Sequence, residues 1–140
     1  MRRSVAHYLI VPAVFVLASA ACSDNLTTTT PIDTPSTTTT EIFSGTINPN
    51  GGATHTFATA RSGAVTATLS ALNPDSTVTV GLSLGTWNGE SCQTVIARDS
   101  TVLGNSIVGS ASAAGTFCIR VYDVGKLAAA TSYDVQVVHP

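Results

Sequence analysis

From residue 41 onward the sequence predicts an all-β domain, a β-sandwich or barrel of about eight short strands. Short runs in which apolar residues alternate with Thr, Ser or Gly have the period of strands with one buried face. Clusters of Gly, Pro, Asn and Asp at 48–52 and 73–76 separate the runs and supply turn residues. Outside the N-terminal 21 residues, the only helix-tolerant stretch is 126–130, which is too short to form a helix alone.

The N-terminus has the order of regions found in a secretory signal. Arg2 and Arg3 precede an apolar stretch at 8–18, and small residues follow it. A transmembrane helix is the alternative, but it needs roughly 20 apolar residues. This stretch is interrupted by a proline and gives way to polar residues at 23–25. We therefore expect residues 1–21 to be a signal peptide and the protein to be exported.

Residues 19–22 resemble the lipobox of bacterial lipoproteins, in which the cysteine is lipidated and becomes the first residue of the mature chain. Ala20, Ala21 and Cys22 match that pattern. The alternative is a plain cleavage site that happens to precede a cysteine. Acyl chains contribute about 0.8 kcal/mol per buried methylene, so several of them would hold the protein on a membrane. The residue after the cysteine is Ser23, not the Asp that would retain a lipoprotein at the inner membrane. This resembles the pattern of lipoproteins sorted to the outer membrane in cells that have two membranes.

A polar segment follows the cysteine. Residues 27–40 include nine Thr and two Pro and hardly any apolar side chain. Such a segment buries too little surface to offset the entropy lost on ordering. Its prolines favour extended, polyproline-like conformations at about 3.1 Å per residue. We expect residues 22–40 to form a disordered tether between the lipidated Cys22 and a domain at 41–140.

The domain divides into eight predicted strands. In chain order they are 41–47, 53–60, 64–72, 77–85, 92–98, 106–111, 115–123 and 131–139. The alternation of apolar and polar residues is clearest in the third and fourth, which predicts one face against a core and one toward water. The seventh strand carries three apolar residues on one face and Cys118, Arg120 and Tyr122 on the other.

The cysteines predict one disulfide. Cys22, Cys92 and Cys118 are an odd number in an exported chain, and lipidation of Cys22 leaves two to pair. A Cys92–Cys118 bond would close a loop of about 27 residues and stabilise the fold by roughly 3 to 4 kcal/mol. It would hold the segment after Trp87 against the outer side of the seventh strand. Two distant cysteines without a neighbouring His or Cys do not form a zinc site, so we expect no metal and no other cofactor.

Several segments together resemble the bacterial pre-peptidase C-terminal domain. They are 55–57 (His-Thr-Phe), 63–69 (Gly-Ala-Val-Thr-Ala-Thr-Leu), 114–122 (Ala-Gly-Thr-Phe-Cys-Ile-Arg-Val-Tyr) and 133–137 (Tyr-Asp-Val-Gln-Val). The resemblance covers about 42–139. It implies a single jelly-roll-like β-sandwich of about eight antiparallel strands with an accessory, ligand-binding role. Calcium ligands in relatives come from an acidic segment before the first strand, which this chain lacks.

The residues do not favour catalysis. The histidines after the signal are His55 and His139, and the acidic residues of the domain lie singly in turns or on strand faces. A general acid and a general base need placed partners. Strand alternation puts His55 on the same side as Phe57, which favours a partly buried histidine over a catalytic one. No Gly-x-Ser-x-Gly motif occurs, so we expect no catalytic residues and no enzymatic activity.

The charge of the chain argues against nucleic acid as a partner. Removal of the signal takes away Arg2 and Arg3 and leaves four basic residues against eight acidic ones. The resulting net charge of about −4 would repel a phosphate polymer.

The segment 85–92 is the best candidate for a binding surface. It contains the only Trp of the chain beside an amide and a carboxylate, on a loop next to Cys92. Sugar-binding sites commonly combine an aromatic platform with such hydrogen-bonding groups, and loops on a rigid scaffold often carry function. The candidate ligand surface comprises Trp87, Asn88, Glu90, Tyr122 and Asp123. The alternative, which we favour from sequence alone, is that Trp87 caps one end of the sandwich core.

These observations predict a membrane-anchored, non-enzymatic module that binds a glycan or a protein at the bacterial cell envelope, on the outer membrane where the cell has one. The alternative function is a structural or assembly subunit of an envelope or secreted complex. An exposed apolar patch or an unpaired edge strand would favour assembly. A concave surface lined by Trp87 would favour ligand binding.

Lipidation is directly testable by mass. We expect intact-mass analysis of the membrane-purified protein to show a chain that begins at Cys22 and carries acyl groups, and Cys22→Ser to release the protein from membranes, because the acyl chains are its anchor. A mature chain with an unmodified Cys22, or one that lacks residue 22, would contradict this prediction.

Overall fold

The computed structural model describes residues 37–140, which form eight β-strands. The strands are β1 (Thr39–Ile47), β2 (Gly52–Thr59), β3 (Gly63–Asn73), β4 (Val80–Trp87), β5 (Cys92–Thr101), β6 (Ser106–Ala111), β7 (Gly115–Tyr122) and β8 (Thr131–His139). The all-β prediction is confirmed, and each predicted strand end lies within three residues of the observed one. The predicted signal peptide, Cys22 and most of the tether lie outside the described residues.

The end of the predicted tether belongs to the first strand. Thr39 and Thr40 pair with His139 and Val138 of β8, so their backbone groups have partners in a sheet. Composition predicted disorder here, but strand pairing decides the outcome because Thr suits a strand once a neighbour is present. Among the described residues, no helix has the length and apolar character needed to cross a membrane.

The strands form two four-stranded antiparallel sheets. Sheet I has the order β1-β8-β3-β6, and sheet II has the order β2-β7-β4-β5. The pairs β1·β8, β2·β7, β3·β6 and β4·β5 are nested, so the chain folds as one long hairpin wrapped across two sheets. This is the arrangement of a jelly roll, and the jelly-roll-like sandwich is confirmed.

The core lies between the two sheets and is built from the alternating apolar residues. Its members are Ile47, Phe57, Val65, Ala67, Leu69, Leu72, Val80, Leu82, Leu84, Ile107, Ala111, Ile119, Val121, Leu127, Tyr133, Val135 and Val137. The central strand β8 supplies Tyr133, Val135 and Val137, all of them almost completely buried. Burial of this apolar surface is the main favourable contribution to folding.

Aromatic and imidazole rings fill the core on the side of β1 and β2. His55 stacks on Phe43 at 5.2 Å between ring centroids, and its Nε2 lies 2.7 Å from the hydroxyl of Tyr133. The buried ring of His139 lies 5.1 Å from that of Phe57. Its Nε2 lies 2.8 Å from a carboxylate oxygen of Glu41. No buried side-chain nitrogen or oxygen atom of the described residues lacks a hydrogen-bond partner, as buried polar groups require.

The predicted disulfide between Cys92 and Cys118 is present. Strand β4 lies between β5 and β7, yet the two Cα atoms are only 5.7 Å apart, which is less than two interstrand spacings of about 4.8 Å each. The beginning of β5 therefore folds over the outer face of β4. Cys118 is completely buried under this crossing, and it is not part of the core between the sheets.

Gly85 makes the crossing sterically feasible. It is the residue of β4 that pairs with Cys118 on one side and with Thr94 on the other. A Cβ atom at this position would lie 2.1 Å from the backbone carbonyl oxygen of Gln93. The clash would involve backbone, which cannot rotate away as a side chain does.

We expect Gly85→Ala to lower the free energy of unfolding by roughly 3 kcal/mol, because an added methyl group displaces the backbone of β5. Urea denaturation of the oxidised protein measures the loss. Gly115→Ala is the matched control, since its Cβ would meet only a ring carbon of Phe117 at 3.7 Å. The control should change the free energy of unfolding by less than about 0.5 kcal/mol. Equal stability of the two variants would contradict the crossing at Gly85.

Candidate ligand-binding site

The outer face of sheet II carries an open depression of about 400 Å³. It extends from β2 across β7 to the hairpin between β4 and β5. The lining residues are Gly52, Thr54, Trp87, Glu90, Ser91, Cys92 and Arg120. Strand alternation accounts for the members on β2 and β7, because Thr54 and Arg120 are paired neighbours whose side chains point away from the core. We call this surface the outer depression.

Trp87 ends β4 and lies on the same face as Gly85, beside the disulfide. It is partly exposed and belongs neither to the core cluster nor to the partly buried residues that pack against that cluster. The structure therefore favours a surface position for Trp87 over the core-capping role that the sequence favoured. Its indole supplies an apolar platform in the outer depression.

The hairpin loop after Trp87 is held by Asn88. Its side-chain oxygen accepts hydrogen bonds from the backbone N–H of Glu90 at 2.9 Å and of Ser91 at 2.8 Å. These bonds form an Asx-type turn, so the Asn88 side chain supports the loop. The carboxylate of Glu90 accepts no hydrogen bond from residues 37–140 and lines the outer depression. Of the two polar loop residues named from sequence, Glu90 is thus the one available to a ligand.

Arg120 lies opposite the loop and was not among the sequence candidates. Its Nε and Nη2 atoms lie 3.2 Å from the point that a Cβ of Gly52 would occupy, so the guanidinium rests on a strand without a side chain there. The guanidinium carbon lies 5.5 Å from the ring centroid of Tyr122, a cation–π contact. The alternation of β7 already placed Arg120 on the face of Cys118 and Tyr122, and that signal identifies it.

Tyr122 is held as a platform beside Arg120. Its ring covers Gly81 of β4, where a Cβ would lie 2.2 Å from a ring carbon, and its hydroxyl donates a hydrogen bond to the carboxylate of Asp99. Burial, followed by the hydrogen bond and charge of Asp99, raises the pKa of Tyr122 to about 12, while the charge of Arg120 opposes this. Tyr122 therefore borders the depression and fixes Arg120 without lining it.

Asp123 has a structural role. Its carboxylate accepts hydrogen bonds from the backbone N–H groups of Asn50 at 2.7 Å, Lys126 at 2.8 Å and Leu127 at 3.1 Å. The bond from Asn50, together with those from the following loop, lowers the pKa of Asp123. The residue ties the β1–β2 turn to the loop after β7, and it does not line the outer depression.

A second, smaller cleft of about 140 Å³ lies where β4 and β5 approach β6. Val65, Leu84, Val95, Ile96 and Phe117 make its lining mainly apolar, and no acidic or basic side chain contributes to it. The cleft offers surface for an apolar group and no group for acid–base chemistry.

No set of side chains in the described range is arranged as a metal site, because no three His, Cys, Asp or Glu residues of 37–140 lie close enough to hold an ion. His55 contacts Phe43 and Tyr133, and His139 pairs with Glu41. Both imidazoles therefore interact inside the sandwich, away from the outer depression.

No protein-family model matches the chain, and no curated protein is significantly similar to it. The resemblance to the pre-peptidase C-terminal domain therefore stays a prediction that rests on the segments quoted above.

The environment of His55 predicts a pH dependence. Burial lowers the pKa of His55 below its ordinary value of 6.5, because charging the ring costs more in the folded state. The contribution of His55 to stability is then complete above pH 6.5 and is lost as the pH falls through the folded pKa. NMR titration of the imidazole protons measures the value directly. Tyr133→Phe should leave the pKa lowered, whereas titration at or above 6.5 would contradict this account.

Proposed function

We propose that this protein is a membrane-anchored, non-enzymatic module of the bacterial cell envelope whose β-sandwich binds a glycan through the outer depression. The observation that carries the proposal is the partly exposed Trp87, which stands outside the core and shares the depression with Glu90, Ser91 and Thr54. Concave sites that combine an aromatic surface with a few convergent polar groups are typical of ligand binding.

The chemistry of these groups suits a sugar. The apolar face of a pyranose ring packs on an indole, and its hydroxyl groups need donors and acceptors at the ring edge. Glu90 supplies an acceptor, and the hydroxyls of Thr54 and Ser91 both donate and accept. A site of this kind holds a sugar by packing and hydrogen bonds without performing a reaction.

The N-terminal sequence supports the location. A signal peptide over 1–21, lipid on Cys22 and a tether up to about residue 38 would present the sandwich at a membrane surface, and Ser23 favours the outer membrane. Such an anchor would keep the outer depression close to the polymers of the envelope. The resemblance to the pre-peptidase C-terminal domain supports an accessory role of the same kind.

A second candidate function, an assembly subunit that binds another envelope protein, is favoured by strand β5. This strand ends sheet II and pairs only with β4, so one row of its backbone groups has no strand partner among the described residues. Val95 is 77% exposed on it, and Val102 and Leu103 are exposed in the turn that follows it. Unpaired edge strands with apolar side chains are surfaces on which another strand adds.

Retention on insoluble polysaccharides tests glycan binding. The probes are cellulose, chitin and purified peptidoglycan, and the protein is the oxidised, lipid-free mature chain 23–140. We expect Trp87→Ala to weaken retention on the bound polymer about ten-fold or more, with little change in thermal stability, because Trp87 lies outside the core. Ile42→Ala, which truncates another exposed apolar residue on sheet I, is the matched control and should retain binding.

The same assay separates the two functions. Unchanged retention of Trp87→Ala, or a loss of retention that accompanies a loss of thermal stability, would contradict the proposed site. Val95→Asp should leave glycan retention unchanged. Capture of a single envelope protein that is abolished by Val95→Asp, together with no retention on any polymer, would favour the assembly function.

A further inference from the structure

We propose that the outer depression selects a sugar that carries a carboxylate, with Arg120 as the group that binds the carboxylate while Trp87 packs on the ring and Glu90 accepts a hydroxyl. This inference rests on the proposed glycan-binding function and names the class of sugar. The shared chemistry is a pyranose with a carboxylate, which a uronic acid supplies, and which the lactyl-bearing amino sugar of peptidoglycan supplies where no peptide is attached to it.

Arg120 is exposed and has no ion-pair partner among residues 37–140. No carboxylate oxygen of residues 37–140 lies within 4 Å of its guanidinium, and the guanidinium makes no hydrogen bond to that part of the chain. Glu90 lines the same depression but is not paired with it. A neutral sugar would leave this cation without a counter-charge, whereas a carboxylate would form charge-assisted hydrogen bonds with it.

The guanidinium is also held in place before any ligand binds. The guanidinium of Arg120 rests on the backbone at Gly52, and the ring of Tyr122 lies beside the guanidinium. The hydroxyl of Tyr122 donates to Asp99, so that ring is itself fixed across Gly81. A planar fork held in this way loses little entropy on binding and suits the two oxygens of a carboxylate.

The opposite charges on the two sides of the depression give the ligand an orientation. A carboxylate is attracted to Arg120 and repelled by Glu90, while a hydroxyl donates to Glu90. Trp87 lies on the hairpin with Glu90, so the ring packs at that end of the site. The mature chain is acidic overall, hence the selection for an anion is local and acts within a Debye length of about 8 Å at physiological salt.

Isothermal titration of the oxidised mature chain 23–140 tests the inference with matched probes. The acids are trigalacturonic acid and the disaccharide of N-acetylglucosamine and N-acetylmuramic acid, and each is compared with its own methyl ester. We expect at least one acid to bind and its ester to bind at least about ten-fold more weakly, because esterification removes the negative charge and leaves the sugar ring unchanged. The acid that binds identifies the source of the carboxylate.

Substitutions at Arg120 then assign the selectivity. Arg120→Gln should weaken binding of the acid by about 10- to 100-fold and change binding of the ester by less than about two-fold. Arg120→Lys should give an intermediate loss, because it keeps the charge without the fork. Arg98→Gln, which removes another exposed arginine of sheet II, is the matched control and should bind the acid as the unsubstituted chain does.

Three results would overturn the inference: equal binding of acid and ester, failure of both acids to bind, or equal binding of a glutamate oligopeptide. In each case, retention on a neutral polysaccharide that depends on Trp87 leaves the glycan-binding function standing. If the unsubstituted chain is also not retained on any of the polysaccharides, the proposed glycan-binding function is itself overturned. Circular dichroism of each variant confirms that the sandwich is folded.

Discussion

The contact between the beginning of β5 and the backbone of β4 at Gly85 determines the form of sheet II. The carbonyl oxygen of Gln93 occupies the position that a side chain would need, and the bond between Cys92 and Cys118 holds the two strands in this arrangement. The crossing brings the end of the β4–β5 hairpin onto the outer face of the sheet. Trp87 and Glu90 consequently lie beside residues of β2 and β7 that are far from them in sequence.

Two glycines determine the shape of the rest of this face. Gly52 and Gly81 flank Tyr122 on the two neighbouring strands. Because both positions lack a Cβ atom, the ring of Tyr122 and the guanidinium of Arg120 lie flat across the sheet, where larger residues would force them into solvent. An open depression in which the guanidinium of Arg120 is held in place follows from these glycines together with the disulfide. The same glycines and the same disulfide therefore determine both the form of the sheet and the form of the site.

The sequence was sufficient to predict the strands and the disulfide, because both follow from local alternation and from counting cysteines. The sequence also identified Trp87 and Glu90, because the chain has one Trp and a carboxylate lies close to it in the same loop segment. It missed Arg120, since the importance of that residue depends on the register that brings Gly52 and the hairpin next to it. Asn88 and Asp123 were named as ligand groups, but Asn and Asp also satisfy backbone N–H groups in turns, and only three-dimensional contacts distinguish the two uses.

Chemical-shift mapping tests whether ligands bind at the outer face of sheet II. The backbone and side-chain N–H signals of the oxidised mature chain are followed by NMR during addition of an oligosaccharide that binds in the titration experiment. Binding at this face predicts that the largest changes occur at the indole N–H of Trp87, at Nε–H of Arg120 and at the amides of Thr54 and Ser91. Changes confined to the cleft beside β5 and β6, at Val95 and Ile96, would contradict it.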